Sequence, residues 1–372
     1  MQSSRTRKRT TAGALAAVAV TATLLSGCSS TPADNDASTD SESSGTSSSS
    51  AESSGNASEK FVIGFEQPLG GQAWREMGLA SLQALAARPE YKDKVELKII
   101  RTNDNDAAQQ NAAIQNLIAD GVDAILFDPA SSTGANAAVT QAKAAGIPVF
   151  ANGGPYDNEY VYTVSTDWAN AGTTGAEWLV AQLGDNKDVA VLEGLAGVPL
   201  NDGSMPAVEE VLTSGGANIV AQGTNGWNEA DAQKAMAQIL QSNPDVGGVY
   251  SFLTGGQGIP AAFADAGIPF VPVVGGSGYN GEACTLVNDA DAGLTGNMVF
   301  GQPAIYAKGL EQAVALLEGN DVPQEQLFPP LEITNDNAAD FCLPDQADNF
   351  QLGYNFPGLD LTVDEVLAFY QS

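Results

Sequence analysis

The side chains this sequence offers to chemistry are carboxylates, amides and four tryptophans, with no histidine at all. Cysteine occurs only at Cys28, Cys284 and Cys342, so a His general base, Ser-His-Asp or Cys-His nucleophiles and the usual zinc ligand sets are all missing. What recurs instead is an aromatic ring beside short polar groups. Glu66-Gln67 runs on to Trp74-Arg75, Asn152 opens the stretch Asn152-Gly153-Gly154-Pro155-Tyr156, and Asp167 precedes Trp168. Asn201-Asp202 and Trp227-Asn228 repeat the theme, while Trp178 reads as helical core. Rings stack on sugar faces and amides or carboxylates match hydroxyls, so these residues suit reversible binding of a neutral polyol. Each tryptophan could equally cap a helix or plug an edge. Beyond the N-terminal segment only Arg75, Arg88 and Arg101 could fork onto an anion, which favours an uncharged ligand, although Arg75 could also pair with an acidic neighbour. The Gly-rich segments 255–258 and 275–278 lack the lysine and hydroxyl of a phosphate loop and the GxGxxG of a dinucleotide fold. They read as turns that bring backbone close to a ligand, with Thr254 at the edge of the first, and no cofactor or metal is expected.

These residues must be positioned by the elements between them. Short apolar runs at 61–65, 95–100, 124–127 and 149–151 alternate with helical patterns at 73–87, 107–119 and 134–145. In the second of these helices Ile114, Leu117 and Ile118 share one face. After 161–164 the same grammar restarts, with helices at 169–183, 206–213, 229–241 and 259–266 and strands at 189–192, 218–221, 249–252 and 270–274. The implied fold class is α/β, with two doubly wound parallel-sheet lobes joined by a hinge. Every polar-aromatic pair falls just after a strand, where such sheets bind ligands, and two sets of strand ends would face one cleft.

The first residues set the compartment. Arg5, Arg7, Lys8 and Arg9 precede an apolar run over 12–25, shorter than the ~20 residues of a membrane span, and the run ends in Leu25-Ser26-Gly27-Cys28. This is a lipobox, so residues 1–28 read as a lipoprotein signal peptide with Cys28 acylated. Residues 29–59, rich in Ser, Thr and acidic side chains, read as a disordered tether. An exported chain oxidises its thiols, so Cys284 and Cys342 are expected to form a structural disulfide. The net charge of -30, from 45 acidic and 15 basic residues, repels phosphate backbones and excludes nucleic-acid binding.

Several stretches taken in order resemble the type I periplasmic-binding-protein family, in particular the ribose-type sugar receptors of ABC importers. NAAIQNLIADGVDAILFDPAS from Asn111, then AAGIPVFANGG, VSTDWANAGTTGAEWL, LEGLAGVP and NPDVGGVYSF, are similar to successive family landmarks from Phe61 to about Thr334. The resemblance puts sugar-stacking aromatics on or near Trp74 and on Trp227. Asn152-Gly153 stands where the family has an Asp-Arg clamp, the segment 201–204 lacks the family's arginine, and Ser277 replaces an aspartate. A late amide position falls on Asn297 or Gln302. The resemblance implies a first lobe of 60–164 plus 298–325 and a second of 165–297 plus 326–372, which would carry both Cys284 and Cys342. It implies a monomeric receptor, lipid-anchored on the extracellular face of the cell membrane, that closes on a neutral sugar or polyol and delivers it to an ABC importer permease. Two other readings stay open: a ligand sensor for a membrane signalling protein, and a glycosidase using Glu66 and Asp167 as paired carboxylates.

Overall fold

A computed structural model describes residues 60–196 and 199–370. The expected signal peptide, Cys28 and the tether lie outside the described residues. The described chain runs β1 (Phe61–Gln67), α1 (Ala73–Ala87), β2 (Val95–Arg101), α2 (Ala107–Ala119), β3 (Ala124–Phe127), α3 (Asn136–Ala145), β4 (Val149–Asn152) and β5 (Val161–Thr166). It then repeats with α4 (Trp168–Gln182), β6 (Asp188–Glu193), α5 (Pro199–Ser214), β7 (Asn218–Thr224), α6 (Glu229–Ser242), β8 (Gly248–Ser251), α7 (Gly258–Ala266), β9 (Val273–Val274), α8 (Asn280–Asn288) and β10 (Gly296–Phe300). The remainder is α9 (Ile305–Leu317), β11 (Glu325–Phe328), β12 (Leu331–Thr334), α10 (Ala338–Phe341) and α11 (Val363–Leu367).

Local chemistry accounts for these elements. In α2 the Asp106 side chain accepts the Gln109 amide, and Gln110, Ala113, Ile114 and Leu117 recur at helical spacing as its buried face. Gly146 ends α3 in the left-handed region, and Ile147-Pro148 leads straight into β4. Residues of β3 and β4 are buried throughout because helices cover both faces of a parallel sheet. Phe65, Phe150 and Val164 pack with Met77 and Leu310 on one face, and Ile125, Phe127 and Val149 with Ile114 and Val139 on the other.

The two sheets are topological copies. Their orders are β11-β5-β4-β3-β1-β2 and β12-β10-β9-β8-β6-β7, so each contains one point where the winding reverses, between β1 and β3 or between β6 and β8. Only the last strand differs, since β11 runs parallel to β5 and β12 antiparallel to β10. The second sheet is therefore mixed, where a wholly parallel one was expected.

Three expectations need correction. The chain crosses between lobes after β5, after β10 and between β11 and β12, a few residues beyond the expected boundaries, because a strand completes its ladder before it leaves a sheet. Helix α5 begins at Pro199, well before the expected start at Pro206, which lies inside the helix. The C-terminal tail, expected wholly in the second lobe, returns to the first. It is tied to α8 by the Cys284–Cys342 disulfide, and the Gln351 side chain donates to Ser277 and Gly278 carbonyls. Beyond that, Ser81 of α1 donates to Tyr354 O at 3.0 Å, Phe356 packs on Phe328, and Arg88 forks onto Glu365. Burial of Phe356, Leu359, Leu361 and Val366 draws the tail there. The Arg88 hydrogen bonds hold the Glu365 carboxyl down at about 2.

The disulfide closes a loop across a sequence separation of 58 residues. Replacing Cys284 and Cys342 together by alanine is expected to cost about 2–4 kcal/mol of stability, read as a lower urea midpoint with an unchanged secondary-structure spectrum.

Candidate functional site

Loops that follow strands of both lobes gather at the crossings, and two tryptophans tie them together. Trp74, in the first turn of α1, donates its indole N–H to Gly301 O at 2.7 Å, just past β10. Trp168, the first residue of α4, donates to Gly153 O at 2.9 Å, just past β4. The contacts are reciprocal, since the Trp74 ring presses on Gly153 and the Trp168 ring on Gly301. A Cβ on Gly153, whose φ is +95°, would lie 3.0 Å from Trp74 Cη2, and one on Gly301 would collide with Trp168 Cη2. Both indole N–H groups are thus committed to backbone.

The first lobe adds a charged cluster at its winding reversal. Glu66 is the last residue but one of β1 and Asp128 follows β3, their backbones joined by an Asp128 N to Glu66 O bond of 3.2 Å. Asp128 Oδ2 accepts Arg75 Nε at 2.6 Å and the Tyr306 hydroxyl at 2.8 Å. Glu66 is fully buried and accepts from Gln110 Nε2 at 2.5 Å and Thr102 Oγ1 at 3.3 Å. Burial raises its carboxyl to about 7 against the opposing Gln110 hydrogen bond, so near neutrality it is part acid and part carboxylate. Burial, with Asp128 alongside, pushes the Tyr306 phenol well above its ordinary range and keeps it a donor. Next to this cluster the Gln67 amide reaches Glu76, which also accepts the Gly71 N–H and pairs with Arg101, fixing the loop after β1.

The second lobe carries two groups of its own. At the ends of β6 and β7, Gly194 donates its N–H to Asn201 Oδ1 at 2.8 Å, accepts Thr224 Oγ1 at 2.7 Å, and supports the Trp227 ring, which would collide with any Cβ at 194. Trp227 adopts a φ of +54°, held by Asn225 Oδ1 on its N–H, and its own indole nitrogen has no partner among the described residues. After β8 and β9, Thr254 Oγ1 and Ser277 Oγ meet at 3.1 Å, and Leu253, whose carbonyl accepts from both hydroxyls, has a φ of +57°. Leu69, Trp227 and Leu253, three of the four non-glycine residues in this strained region among the described residues, lie in loops that follow strands. Such strain persists where surrounding structure imposes a shape.

The expected site residues therefore separate. Glu66, Gln67, Trp74 and Arg75 come together on the first lobe, Trp168 joins them at the crossing, and Asn201, Trp227, Thr254 and Ser277 lie at strand ends of the second. Asp202 is exposed in the first turn of α5, beside Asn201. Three expectations are corrected. Asn152 is fully buried beneath α9, its amide donating to Ile305 O against Gly309. Asn297 sits in β10 on the face opposite Met298 and Phe300, with Val299, where α4 covers the sheet. Asp167 caps α4 by accepting the Asn170 N–H on Oδ1, and no hydrogen bond among the described residues pairs it with Glu66 as acid and nucleophile. Sequence reasoning missed Asp128, although it closes a strand before a proline, and missed Tyr306, 178 residues further on, for which no local signal exists. A cavity of about 440 Å³ at the opposite end of the first-lobe strands, lined by Tyr160, Tyr162 and Gln324, is separate from all of these groups.

The profile of the family described as periplasmic binding protein domain matches residues 63–321. A xylitol-binding protein of Mycolicibacterium smegmatis is 27% identical over 63% of this chain and 67% of its own length. A D-apiose import binding protein of Paraburkholderia graminis is 31% identical over 64% of this chain and 78% of its own. Among solved structures, an ABC transporter solute binding protein from Thermobispora bispora superposes with a TM-score of 0.68 at 25% identity, covering 78% of this chain and 90% of that one.

Glu66 sets a pH dependence with a definite sign. Its folded value of about 7 lies above the ordinary glutamate value of 4.5, so its contribution is complete below 4.5 and lost as pH rises through 7. Glu66→Gln is expected to match the parent in urea unfolding at pH 5 and to exceed it at pH 8 by about 1–3 kcal/mol, whereas parallel losses in both proteins would exclude a protonated Glu66.

Proposed function

The chain belongs to the periplasmic binding protein family, and from that premise we propose that it captures a neutral sugar or polyol between its lobes and delivers it to an ABC importer. The observation that carries this reading is the first-lobe cluster in which Arg75, Asp128 and Tyr306 are locked together beside the Trp74 ring. An aromatic surface with fixed donors and acceptors at its edge matches a ring of carbons bearing hydroxyls. The Arg75 guanidinium is already neutralised by Asp128, so the cluster presents hydrogen bonds without net charge to an uncharged solute. Relatives named for xylitol and D-apiose support the same ligand class.

In this reading Trp74 and Trp168 form the floor at the hinge, while Trp227, Asn201, Asp202, Thr254 and Ser277 meet the solute from the second lobe. Closure is a shift between open and closed populations that the solute favours by touching both lobes. Carboxylates act as hydrogen-bond acceptors and no solute bond is broken. No helix of the described residues is long and apolar enough to cross a membrane. Attachment is assigned to the Leu25-Ser26-Gly27-Cys28 lipobox, with Cys28 acylated and the Ser-rich 29–59 segment as a tether on the extracellular face. The receptor works as a monomer.

A thermal-shift and calorimetry panel of D-ribose, xylitol, D-apiose, myo-inositol and charged amino acids tests the reading. At least one neutral member is expected to raise the melting temperature, and stabilisation by charged amino acids alone would sink the proposal. Asp128→Ala removes the acceptor that orients Arg75, and about 10- to 100-fold weaker binding at nearly unchanged fold is expected from losing charge-assisted hydrogen bonds.

A further inference from the structure

Two glutamates, one on α6 and one on α8 of the second lobe, lie beneath the loops that follow β8 and β9. Glu229, the first residue of α6, accepts the backbone N–H of Gly255 at 2.8 Å, Gln257 at 3.0 Å and Gly258 at 2.6 Å. Glu282, in the first turn of α8, accepts those of Ser277 at 3.0 Å, Gly278 at 2.9 Å and Tyr279 at 2.7 Å. The Glu282 side chain also underlies the first loop, because a Cβ on Gly256 would lie 2.9 Å from its Cβ and Cγ. Glu229, which holds the amides on either side of Gly256, is therefore the charged neighbour of the Glu282 carboxyl. Thus the pair gathers six amides from two loops, and the loops meet above it through Thr254 Oγ1 and Ser277 Oγ at 3.1 Å.

Two neighbouring carboxyl groups with no cation beside them disfavour double ionisation, so one of them tends to keep its proton. Burial, reinforced by the neighbouring Glu229, pushes Glu282 well above the ordinary carboxylate range. None of the ion pairs among the described residues involves either side chain, so amide dipoles and that proton balance them. The groups facing Glu282 are Glu229 from α6 and Tyr279 from the turn into α8, with Tyr370 of the tail beyond Tyr279. Asp348, exposed on the tail, approaches only the far side of α8 at Gly281.

We propose that Glu229 and Glu282 are positioning residues for solute binding: a proton held by the pair keeps the loops after β8 and β9 in the shape that presents Thr254 and Ser277, and its loss in alkaline solution frees both loops and weakens binding. The proposal rests on the solute-binding reading given above. Its sign follows from Glu282, whose contribution is complete below 4.5 and lost as pH rises through its higher folded value. A glutamine at 282 would place an amide N–H where the proton sits, which keeps a donor beside Glu229 and removes the titration.

Amide hydrogen exchange on the full chain between pH 6 and 9, corrected for intrinsic rates, tests the loops without any ligand. In the parent, protection of 253–258 and 275–279 is expected to fall with pH, approaching about tenfold per unit above the titration, while 66–76 in the first lobe does not follow. Glu282→Gln is expected to stay protected throughout, and Glu282→Ala to lose protection at every pH. Glu229→Gln places the amide on the other partner and serves if the 282 variants do not fold. Parent protection that is flat with pH, or a parent-like slope in both glutamine variants, overturns the proposal. Calorimetry with D-ribose, xylitol and myo-inositol on the same samples should show affinity falling with pH in the parent and level in Glu282→Gln. If none of the three binds while the loops still titrate, the role in binding is overturned, and the solute-binding reading falls with it only when every neutral member of the panel above also fails. If one binds with an affinity indifferent to pH, the positioning role alone is overturned.

Discussion

The reciprocal contact of Trp74 with Gly301 and Gly153, and of Trp168 with Gly153 and Gly301, is the constraint on which the arrangement of the cleft depends. Each indole donates to the carbonyl of one glycine and lays its ring on the other, so two crossings are fixed to one lobe-one helix and one lobe-two helix at once. A side chain at either glycine would drive the ring away and break the bond its partner makes. The aromatic edge of Trp74 also packs against Tyr306 at 5.5 Å between ring centroids, which ties the hinge to the Asp128–Arg75 cluster. Polar groups at the first-lobe strand ends are thereby held in register with the hinge itself.

The second constraint is electrostatic. With 45 acidic residues and 15 basic ones, two of the four buried carboxylates among the described residues find no cation. Asp128 and Glu76 obtain arginines, yet Glu66 is satisfied by an amide, a hydroxyl and a part-time proton, and Glu282 by backbone N–H groups and its neighbour. A carboxyl group in a low-dielectric site relieves its desolvation by taking up a proton when no counter-charge is near. An acidic surface that serves solubility thus leaves the interior with groups whose charge follows pH.

Much of the fold was legible because parallel α/β units write their period plainly. The spacing of Gln110, Ala113, Ile114 and Leu117 gives α2, and Gly146-Ile147-Pro148 marks the turn into β4. The ordered resemblance named the correct family, and both winding reversals follow from it. Local rules failed where tertiary context decided the outcome. Pro206 looked like a helix start and lies inside α5. The run at 270–274 pairs only over Val273–Val274, since Pro272 has no N–H to give the ladder. Asn152 followed an expected strand and Asn297 came from the family resemblance, and only the pleat shows that they point beneath helices. Asp128 meets Tyr306, and Glu229 meets Glu282, across separations that no local pattern encodes.

The C-terminal tail shows how the same physics acts on the molecule as a whole. Its start is stapled to α8 and bonded to the loop after β9, and its end lies on α1 through Arg88 and Glu365. Between these anchors Gly353 accepts the Ala304 N–H at the crossing that follows β10. Any rotation of one lobe against the other must therefore be absorbed in four places, the three crossings and the short stretch from Gln351 to Tyr354. Gly353 has a φ of +78° and stands 3.0 Å from Pro303 Cδ when given a Cβ, so this stretch has little room to rearrange by side-chain motion. The backbone must move instead, and because Gln351 holds Ser277 and Gly278, such movement reaches the loop that rests on Glu282. Hinge, tail and buried acid pair are in this way one mechanical series.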